Sequence, residues 1–537
     1  MVNFIQQNHP KDSYCRNFQM SFSVSARSHR MQHLRSLSWV LFALSITPLS
    51  AVEKPNILFI LADDIGYSDL SCQGAKHAKT PNLDRLASEG RRMTAAHSPA
   101  STCTPTRRAF LTGVYSWRQQ PGSAIAPGDA PSSIVPGTVT VPSILKSVGY
   151  RTGIVGKWHL GLGAEDAGPQ WNGEIKPGPL EIGFDSSFIM AATGDRVPTV
   201  YVKDHRILGL DPADPIRVSY KQKIGNEPTG AENPELLRLK HTHGHDMTIH
   251  DGVGRIGWME GGKAARWKDE DMADTFAREA IRFIEQSKDK PFFLCLATHG
   301  IHVPRVPNAR FKGTSPVGIR GDAIHELDDT VGQVLAELDK HGLKQNTLVI
   351  FTSDNGGVMD DGYEDVGSFD YHPNEPLRGN KGTLYEGGHR VPFLVRWPGH
   401  VPVGSVDDTL IAHLDMAATF AALTGATVPE GAARDSFNVL PALLGQKMEK
   451  APRPHFVAHN GGTKGPFSIQ SGSWKLVQPA GGARAGGGKS SRGLDEGSKN
   501  IQLYDLGKDI AEKNNLAKEK PDKVAELQAL LKQIQTP

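Results

Sequence analysis

Short apolar runs alternate along this chain with stretches whose apolar positions recur every three or four residues. That alternation predicts a large, mainly parallel α/β sheet flanked by helices. The first run, Pro55–Ala62, closes on Asp63-Asp64. A helix is expected over Pro81–Glu89, with Thr80 as N-cap, Pro81 in the first turn and Gly90 as the stop. A second helix, Thr138–Val148, leads into the strand Thr152–Gly156, which ends in Lys157-Trp158-His159. Asp269–Gln286 is amphipathic, with Met272, Phe276, Ala280 and Phe283 on one face, and it feeds the strand Phe292–Ala297. That strand runs out into Thr298-His299-Gly300-Ile301-His302. A helix over Ala323–His341 precedes the strand Leu348–Thr352, which ends in Asp354-Asn355-Gly356.

Four apolar strands thus terminate in polar, chemically capable residues. In parallel α/β sheets ligands bind beyond the carboxyl ends of the strands, so these groups are expected to converge on one edge. One such ending is easily a turn or a helix cap; four together are hard to explain that way.

After Pro398 the texture changes. A helix near Asp415–Leu423 is followed by the strand-like Phe467–Gln470, Trp474–Val477 and Leu503–Leu506, and by a closing helix over Lys520–Gln535. Pro479–Lys499, rich in Gly, Ser and Arg, reads as a loop. The expected division is a catalytic domain over 52–434 and a smaller α+β subdomain over 435–537 without chemistry of its own. Residues 1–51 read as a leader: a basic start at Met31, which is the expected true initiator, then the apolar Leu37–Leu49 and the small residues Ser50 and Ala51. The competing reading of Leu37–Leu49 is a buried helix, and the run is too short to span a bilayer comfortably. The expected product is therefore an exported protein, periplasmic or secreted, cleaved near Ala51 and without an integral membrane segment thereafter.

Composition narrows the function. The 537 residues hold 60 Lys+Arg against 58 Asp+Glu, so no basic excess suggests a nucleic-acid partner. Hydrophobic residues at 38% suffice for a sizeable core, and 4 Cys are too few for a disulfide scaffold. Cys15 leaves with the leader. Cys295 lies in the apolar Phe292–Ala297 and reads as core, Cys72 sits in a polar loop, and Cys103 lies among Ser, Thr and Pro, where packing is a poor explanation.

Asp63, Asp64, Asp354 and Asn355 are hard oxygen donors, suited to Ca²⁺ or Mg²⁺ rather than Zn²⁺. Arg107, Lys157 and Lys381 can balance the carboxylates, and a dication ringed by Arg, Lys and His is a receptor for an oxyanion ester. Ser101–Gly113 reads as a loop entering a helix. A helix N-terminus and nearby cations are expected to lower a thiol's pKa there, which makes Cys103 a candidate nucleophile against the alternative of a plain loop cysteine.

At these residues the chain resembles the type I sulfatases of the alkaline-phosphatase superfamily. Cys103-Thr-Pro105-Thr-Arg107 with Leu111-Thr-Gly113 fits the family's Cys-x-Pro-x-Arg signature, and Gly156–Gly161 its second signature. Asn56–Asp64, Asp354–Gly356 and Gly379–Gly388 match further blocks in the expected order. The resemblance implies an alkaline-phosphatase-like fold and a Cys103 oxidised to Cα-formylglycine by a formylglycine-generating enzyme during export. One hydroxyl of the hydrated aldehyde attacks sulfur, an alcohol leaves, and loss of a proton from the second hydroxyl expels sulfate. Carried over, one Ca²⁺ would be held by Asp63, Asp64, modified Cys103, Asp354 and Asn355. Arg107 would polarise the diol, Lys157 and Lys381 would bind the sulfate oxygens, His159 would take the proton, and His302 would contact sulfate and assist the leaving group. His299 stands outside this core set.

The substrate implied is a sulfate monoester, preferably of a sulfated sugar or glycan, with small aryl sulfates also accessible. The rivals are a phosphonate or phosphodiester hydrolase with the same machinery and a catalytically silent sulfoglycan-binding protein. In the long insertion before His302, His241-Thr-His243-Gly-His245 with His250 could form a second metal tract, a substrate-subsite loop or a solvated loop. Trp171, Trp258 and Trp267 could stack on sugars or pack in the core. Arg108 is expected at the surface or in a supporting role.

Overall fold

The computed structural model describes residues 54–119, 125–358, 361–363, 371–460, 465–479 and 499–536, together with Gln19. The leader, its cleavage site, Cys15 and most of the Pro479–Lys499 loop lie outside the described residues.

The strands that the apolar runs predict form the middle of one ten-stranded sheet. In chain order these are β1 (Asn56–Ala62), β2 (Arg91–Met93), β3 (Arg151–Lys157), β4 (Ser186–Met190), β5 (Tyr201–Lys203), β6 (Arg206–Ile207), β7 (Phe292–Ala297), β8 (Thr347–Ser353), β9 (Phe393–Arg396) and β10 (Ser405–Asp407). Their spatial order is β10-β2-β9-β8-β1-β7-β3-β4-β5-β6. The five strands from β8 to β4 are mutually parallel, and β9 and β5 flank them antiparallel. The four strands with chemically capable ends are therefore immediate neighbours.

Both faces of the central strands are covered, which is why β1, β7 and β8 carry near-continuous apolar runs rather than an alternation. Ile57, Phe59 and Leu61 of β1 point into a cluster with Phe110, Ile144 and Phe420, contributed by the helices α2 (Cys103–Thr112), α3 (Val141–Lys146) and α7 (Met416–Thr424). Phe59 stacks on Phe110 with ring centroids 4.3 Å apart. Leu58 and Ile60 point the other way, against Leu83, Phe276 and Leu327 of α1 (Pro81–Ser88), α4 (Met272–Ser287) and α5 (Ile319–Lys340). The predicted apolar face of α4 is the buried one.

Two helix boundaries differ from the periodicity. α3 is shorter than Thr138–Val148, because Thr140 and Ser143 form a capping box that fixes its start and Pro142 occupies the first turn. α5 begins at Ile319 rather than Ala323, since its first turn buries polar groups: Arg320 pairs with Asp69, and Asp322 accepts from the backbone of Gly313 and Ser315. Thr80 precedes α1 but makes no side-chain cap; its Oγ1 accepts from Ser71 N instead.

Three more helices complete the order: α6 (Glu386–His389), α8 (Leu440–Leu443) and α9 (Pro521–Gln535). The C-terminal strands β11 (Phe456–His459), β12 (Phe467–Ser471), β13 (Trp474–Val477) and β14 (Gln502–Asp505) form a four-stranded antiparallel sheet backed by α9. Its core is continuous with α2 and the following turn: Ala109, Tyr115 and Trp117 pack with Phe456, Ile469 and Leu531. Glu53–Pro537 is one compact unit. No helix among the described residues is long and apolar enough to cross a membrane.

Candidate active site

The carboxyl ends of β1, β3, β7 and β8 bring Asp63, Asp64, Lys157, His159, His302, Asp354 and Asn355 together, as the strand-end rule predicts. Backbone bonds tie the ends to one another: Asp354 N donates to Ala62 O at 3.0 Å and Ile301 N to Asp63 O at 2.8 Å. α2 enters from the side with Cys103 as its first residue and leaves through Gly113, whose φ of 66° closes the helix in the left-handed region. Cys103 is 1% exposed. Its sulfur and one ligand atom each from Asp63, Asp64 and His302 all lie within 4.8 Å of one another.

The cations are interleaved with the carboxylates. Arg107 Nε and Nη2 both reach Asp354 Oδ2 at 2.8 Å, and Nη1 donates to the Lys157 carbonyl at 3.0 Å. Lys157 Nζ is 2.5 Å from Asp63 Oδ2, and Lys381 Nζ is 2.9 Å from both Asp64 Oδ2 and Asp361 Oδ2. Arg107, Lys157 and Lys381 thus face four carboxylates, Asp63, Asp64, Asp354 and Asp361, and a bound dication would turn the balance positive and make the site receptive to an anion.

The donor set fits a hard cation. Asp63 Oδ1, Asp354 Oδ1 and Asn355 Oδ1 are buried and accept no hydrogen bond from any described residue. Such orphaned oxygens are costly unless a ligand satisfies them. Asn355 donates through Nδ2 to Asp64 Oδ1 at 2.7 Å and to the Gly356 carbonyl at 3.0 Å, which fixes its amide with Oδ1 turned elsewhere. Burial and the neighbouring Asp354 carboxylate hold Asp63 well above the usual carboxylate range, a repulsion that a divalent ion relieves. Burial also pushes Asp64 upward, but Lys381 and His302 outweigh it and keep that group ionised.

The expectation for the thiol is corrected. Burial pushes Cys103 up to about 12, and the attraction of Lys157 and Lys381 does not offset it. As a cysteine, residue 103 is therefore a thiol at neutral pH and a poor nucleophile.

Each histidine has a defined tautomer. His159 Nε2 lies 3.0 Å from the Ala126 carbonyl, which can only accept, so the proton is on Nε2 and Nδ1 is a bare, buried acceptor. Thr104 in the first turn of α2 donates to the His159 carbonyl at 3.1 Å and accepts from Ala126 N, which locks the three segments together. His302 Nδ1 donates to the Val303 carbonyl at 2.7 Å, leaving Nε2 directed at Asp64 and Asp361, 3.8 and 3.7 Å away. Burial, with Lys157 beside the first and Lys381 beside the second, holds both imidazoles well below their ordinary pKa. His299 Nε2 accepts from Gly194 N at 3.0 Å.

Among the described residues, no group of three potential metal ligands within 4.8 Å of one another includes a histidine of the His tract. His245 Nε2 bonds Asp195 Oδ2 at 3.0 Å and Nδ1 bonds the His243 carbonyl, while His250 Nδ1 meets Thr199 Oγ1 at 2.6 Å. Asp195 in turn holds Arg196 through both oxygens, at 2.9 and 3.0 Å. Gly194, two residues before Arg196, bonds His299 Nε2 through its N–H, which brings this loop against the end of β7. Asp195 and Arg196 follow β4 at the same sheet edge; the strand-end rule would have found them had Ser186–Met190 been read as a strand. Trp171 and Trp267 pack in the core, and Arg108 is buried rather than at the surface. Cys295 is core, as expected, and Cys72 is half-buried.

The Sulfatase family profile matches residues 55–426, and the profile described as N-sulphoglucosamine sulphohydrolase, C-terminal, matches 379–479. The chain is 46% identical over 488 residues to N-acetylgalactosamine-6-O-sulfatase of Bacteroides thetaiotaomicron, covering 90% of this chain and 94% of that protein. It is 32% identical over 512 residues to human arylsulfatase A, covering 91% and 88%. A solved structure described with the metabolism of multiple glycosaminoglycans by Bacteroides thetaiotaomicron superposes with a TM-score of 0.86 at 46% identity, covering 90% of this chain and 100% of that one.

Proposed function

The chain belongs to the sulfatase family, and from that premise we propose that it is an exported, calcium- and formylglycine-dependent enzyme releasing sulfate from a sulfated glycosaminoglycan sugar of the N-acetylgalactosamine 6-sulfate type. The observation that carries the chemistry is the grouping of ligand atoms of Asp63, Asp64, Cys103 and His302 within 4.8 Å, with buried unsatisfied oxygens on Asp63, Asp354 and Asn355 and two lysines paired to the carboxylates. The sugar is supported by the 46% identity to an N-acetylgalactosamine-6-O-sulfatase over nearly the whole of both chains.

Asp63, Asp64, Asp354 and Asn355, with residue 103, would hold one Ca²⁺, whose charge positions the ester oxygens. Formylglycine formed from Cys103 would supply the attacking hydroxyl that a thiol of pKa about 12 cannot. Arg107, fixed by Asp354 and the Lys157 carbonyl, orients the group at position 103. Lys157 and Lys381 present ammonium groups to the sulfate oxygens, where charge develops as the ester bond lengthens. His159 takes up a proton at Nδ1, the atom its tautomer leaves free. His302, its Nδ1 held by the Val303 carbonyl, would contact the sulfate and assist the leaving group through Nε2. Arg196, braced by Asp195 and His245, would face the substrate, which would make the His-bearing insertion a subsite loop. The formylglycine-generating enzyme is the implied partner before the chain folds.

The test pairs peptide mass spectrometry across Ser101–Arg107 with assays on N-acetylgalactosamine 6-sulfate, its 4-sulfate, an aryl sulfate and a phosphodiester. An aldehyde or its hydrate at position 103 and the highest kcat/KM on the 6-sulfate are expected. A higher kcat/KM on the diester overturns the substrate class, and an unmodified thiol in active native protein overturns the nucleophile.

A further inference from the structure

A second buried group lies outside the site just described. His97, Glu386 and His389 also bring ligand atoms within 4.8 Å of one another. Its cation is already supplied by the chain: Lys475 Nζ lies 2.8 Å from Glu386 Oε1, 2.9 Å from Glu512 Oε1 and 3.2 Å from His389 Nε2. Lys475 is on β13 and Glu512 follows β14, so both come from the C-terminal part, whereas Glu386 and His389 form the short helix α6. Lys475 is 1% exposed and both glutamates are fully buried. Arg390 Nη1 takes the other Glu386 oxygen at 3.0 Å, so two cations match two carboxylates.

Glu512 carries a further sign of constraint. Its φ is 51°, in the left-handed region that a residue with a Cβ rarely adopts, and the surroundings hold it there. In that conformation its Oε2 accepts the Glu386 backbone N–H at 2.7 Å and its carbonyl accepts from Arg378 Nη1 at 3.0 Å. Ion pair and backbone bond together fix both ends of the Glu386 residue.

What α6 touches gives this lock its consequence. The Gly388 carbonyl accepts from Gly356 N at 3.0 Å, immediately after Asn355, and a Cβ on Gly356 would come within 1.8 Å of the Gly387 oxygen. The contact has no room to slide. Gly387 N donates to the Arg378 carbonyl, at the start of the segment that carries Lys381. Gly382 N donates to the Ser101 carbonyl at 2.7 Å, and Ser98 N to the His389 carbonyl at 2.8 Å, which ties in the chain leading to Cys103. One short helix therefore braces the metal-donor loop, the lysine loop and the approach to the nucleophile.

We propose that Lys475 is a positioning residue for the sulfatase reaction: through Glu386 and Glu512 the C-terminal sheet locks α6, and α6 sets the register of Asn355 and Lys381 against Cys103. The inference rests on the reading of Asn355 as a calcium donor and Lys381 as a sulfate contact. It makes the C-terminal sheet part of the catalytic scaffold rather than an appendage.

The test compares Lys475→Met with the wild type in the mature enzyme, by the calcium concentration giving half of the calcium-induced rise in Tm, and by kcat and KM. The expected result is a folded variant whose calcium midpoint rises about ten-fold and whose kcat falls by about ten- to a hundred-fold, as for a misplacement of order 1 Å. A variant that merely melts earlier, with calcium midpoint and kcat unchanged, overturns the proposal. Should Lys475→Met fail to fold, the pair Lys475→Met with Glu512→Gln removes one cation and one anion together and is judged by the same readouts. If the wild type releases sulfate from no ester, the functional reading falls by itself, and the calcium midpoints still decide the role of Lys475.

Discussion

Cys103 shows how far a single residue's surroundings can oppose its apparent role. A helix N-terminus and two lysines favour a thiolate, yet burial wins and leaves a thiol at about 12. Replacing it by Ser should keep the fold, because a hydroxyl is close to a thiol in size, and lower turnover by about a thousand-fold or more; unchanged sulfate release would remove the nucleophile from position 103. His159 makes a pH prediction. Burial, with Lys157 next, holds its pKa below 6.5, so the neutral form that accepts a proton at Nδ1 persists as pH falls. The acid limb of kcat/KM should therefore lie below pH 6.5, and His159→Ala should lower kcat by about 10²- to 10⁴-fold. A limb at or above pH 6.5 would assign the proton transfer elsewhere. The Asp, Lys, His and Asn at four strand ends were legible because each follows an apolar run. Asp195 and Arg196 were not, because β4 opens on two serines, which leaves a short apolar run, and the pair lies five residues past its end.

At the scale of elements, apolar periodicity located the strands and helices, and the boundaries it missed were set by buried polar groups. α5 is the plainest case: Arg320 and Asp322 are buried in its first turn and satisfied by Asp69 and by loop amides, and an apolar pattern has no term for them. Periodicity missed α6 altogether, since Glu386-Gly-Gly-His389 carries no apolar residue. The insertion with the His tract was singled out for its histidines, but the structure uses His245 to brace Asp195 and, through it, Arg196. Arg196→Lys keeps the charge and loses the planar fork, so it should raise KM for a sulfated amino sugar several-fold while leaving KM for a small aryl sulfate nearly unchanged. Steady-state kinetics on both substrates decide it; equal changes would place Arg196 on the sulfate rather than on the sugar.

At the scale of the whole molecule, the charges buried at the sheet edge carry a cost that the proposed calcium would offset. Removal of calcium with a chelator should lower Tm and abolish turnover, and added Ca²⁺ should restore both better than Mg²⁺, whose smaller octahedral shell suits a crowded set of protein oxygens poorly. Acid should act in the same direction. His97, His159, His250, His299, His302, His389 and His413 are all buried with lowered pKa values. A histidine whose folded pKa lies below its unfolded 6.5 contributes its full stability above pH 6.5 and loses it as pH falls toward the folded value. Each such group costs about 1.4 kcal/mol per pH unit in that window. Asp63, Asp129, Asp269, Glu326, Asp328 and Glu512, held high by burial, work the other way and reduce the drop, but the seven imidazoles outnumber them. Tm should drop between pH 7 and 5, and a Tm that rises there would contradict this set of buried neutral imidazoles.

The burial of Cys103 also orders events in time. With 1% of its surface exposed, at the head of a helix whose first turn is bonded to the His159 loop, the residue offers no other enzyme a way to its sulfur once the chain has closed around it. Any oxidation has to happen on the nascent or unfolded polypeptide, so the chance for maturation is lost at folding. Unmodified protein that is folded and then given the maturation enzyme should stay inactive, whereas a peptide spanning Ser101–Gly113, or the denatured chain, should be converted. Each molecule's catalytic competence would then be decided once, before it has a structure, by a race between its own folding and an encounter with another enzyme.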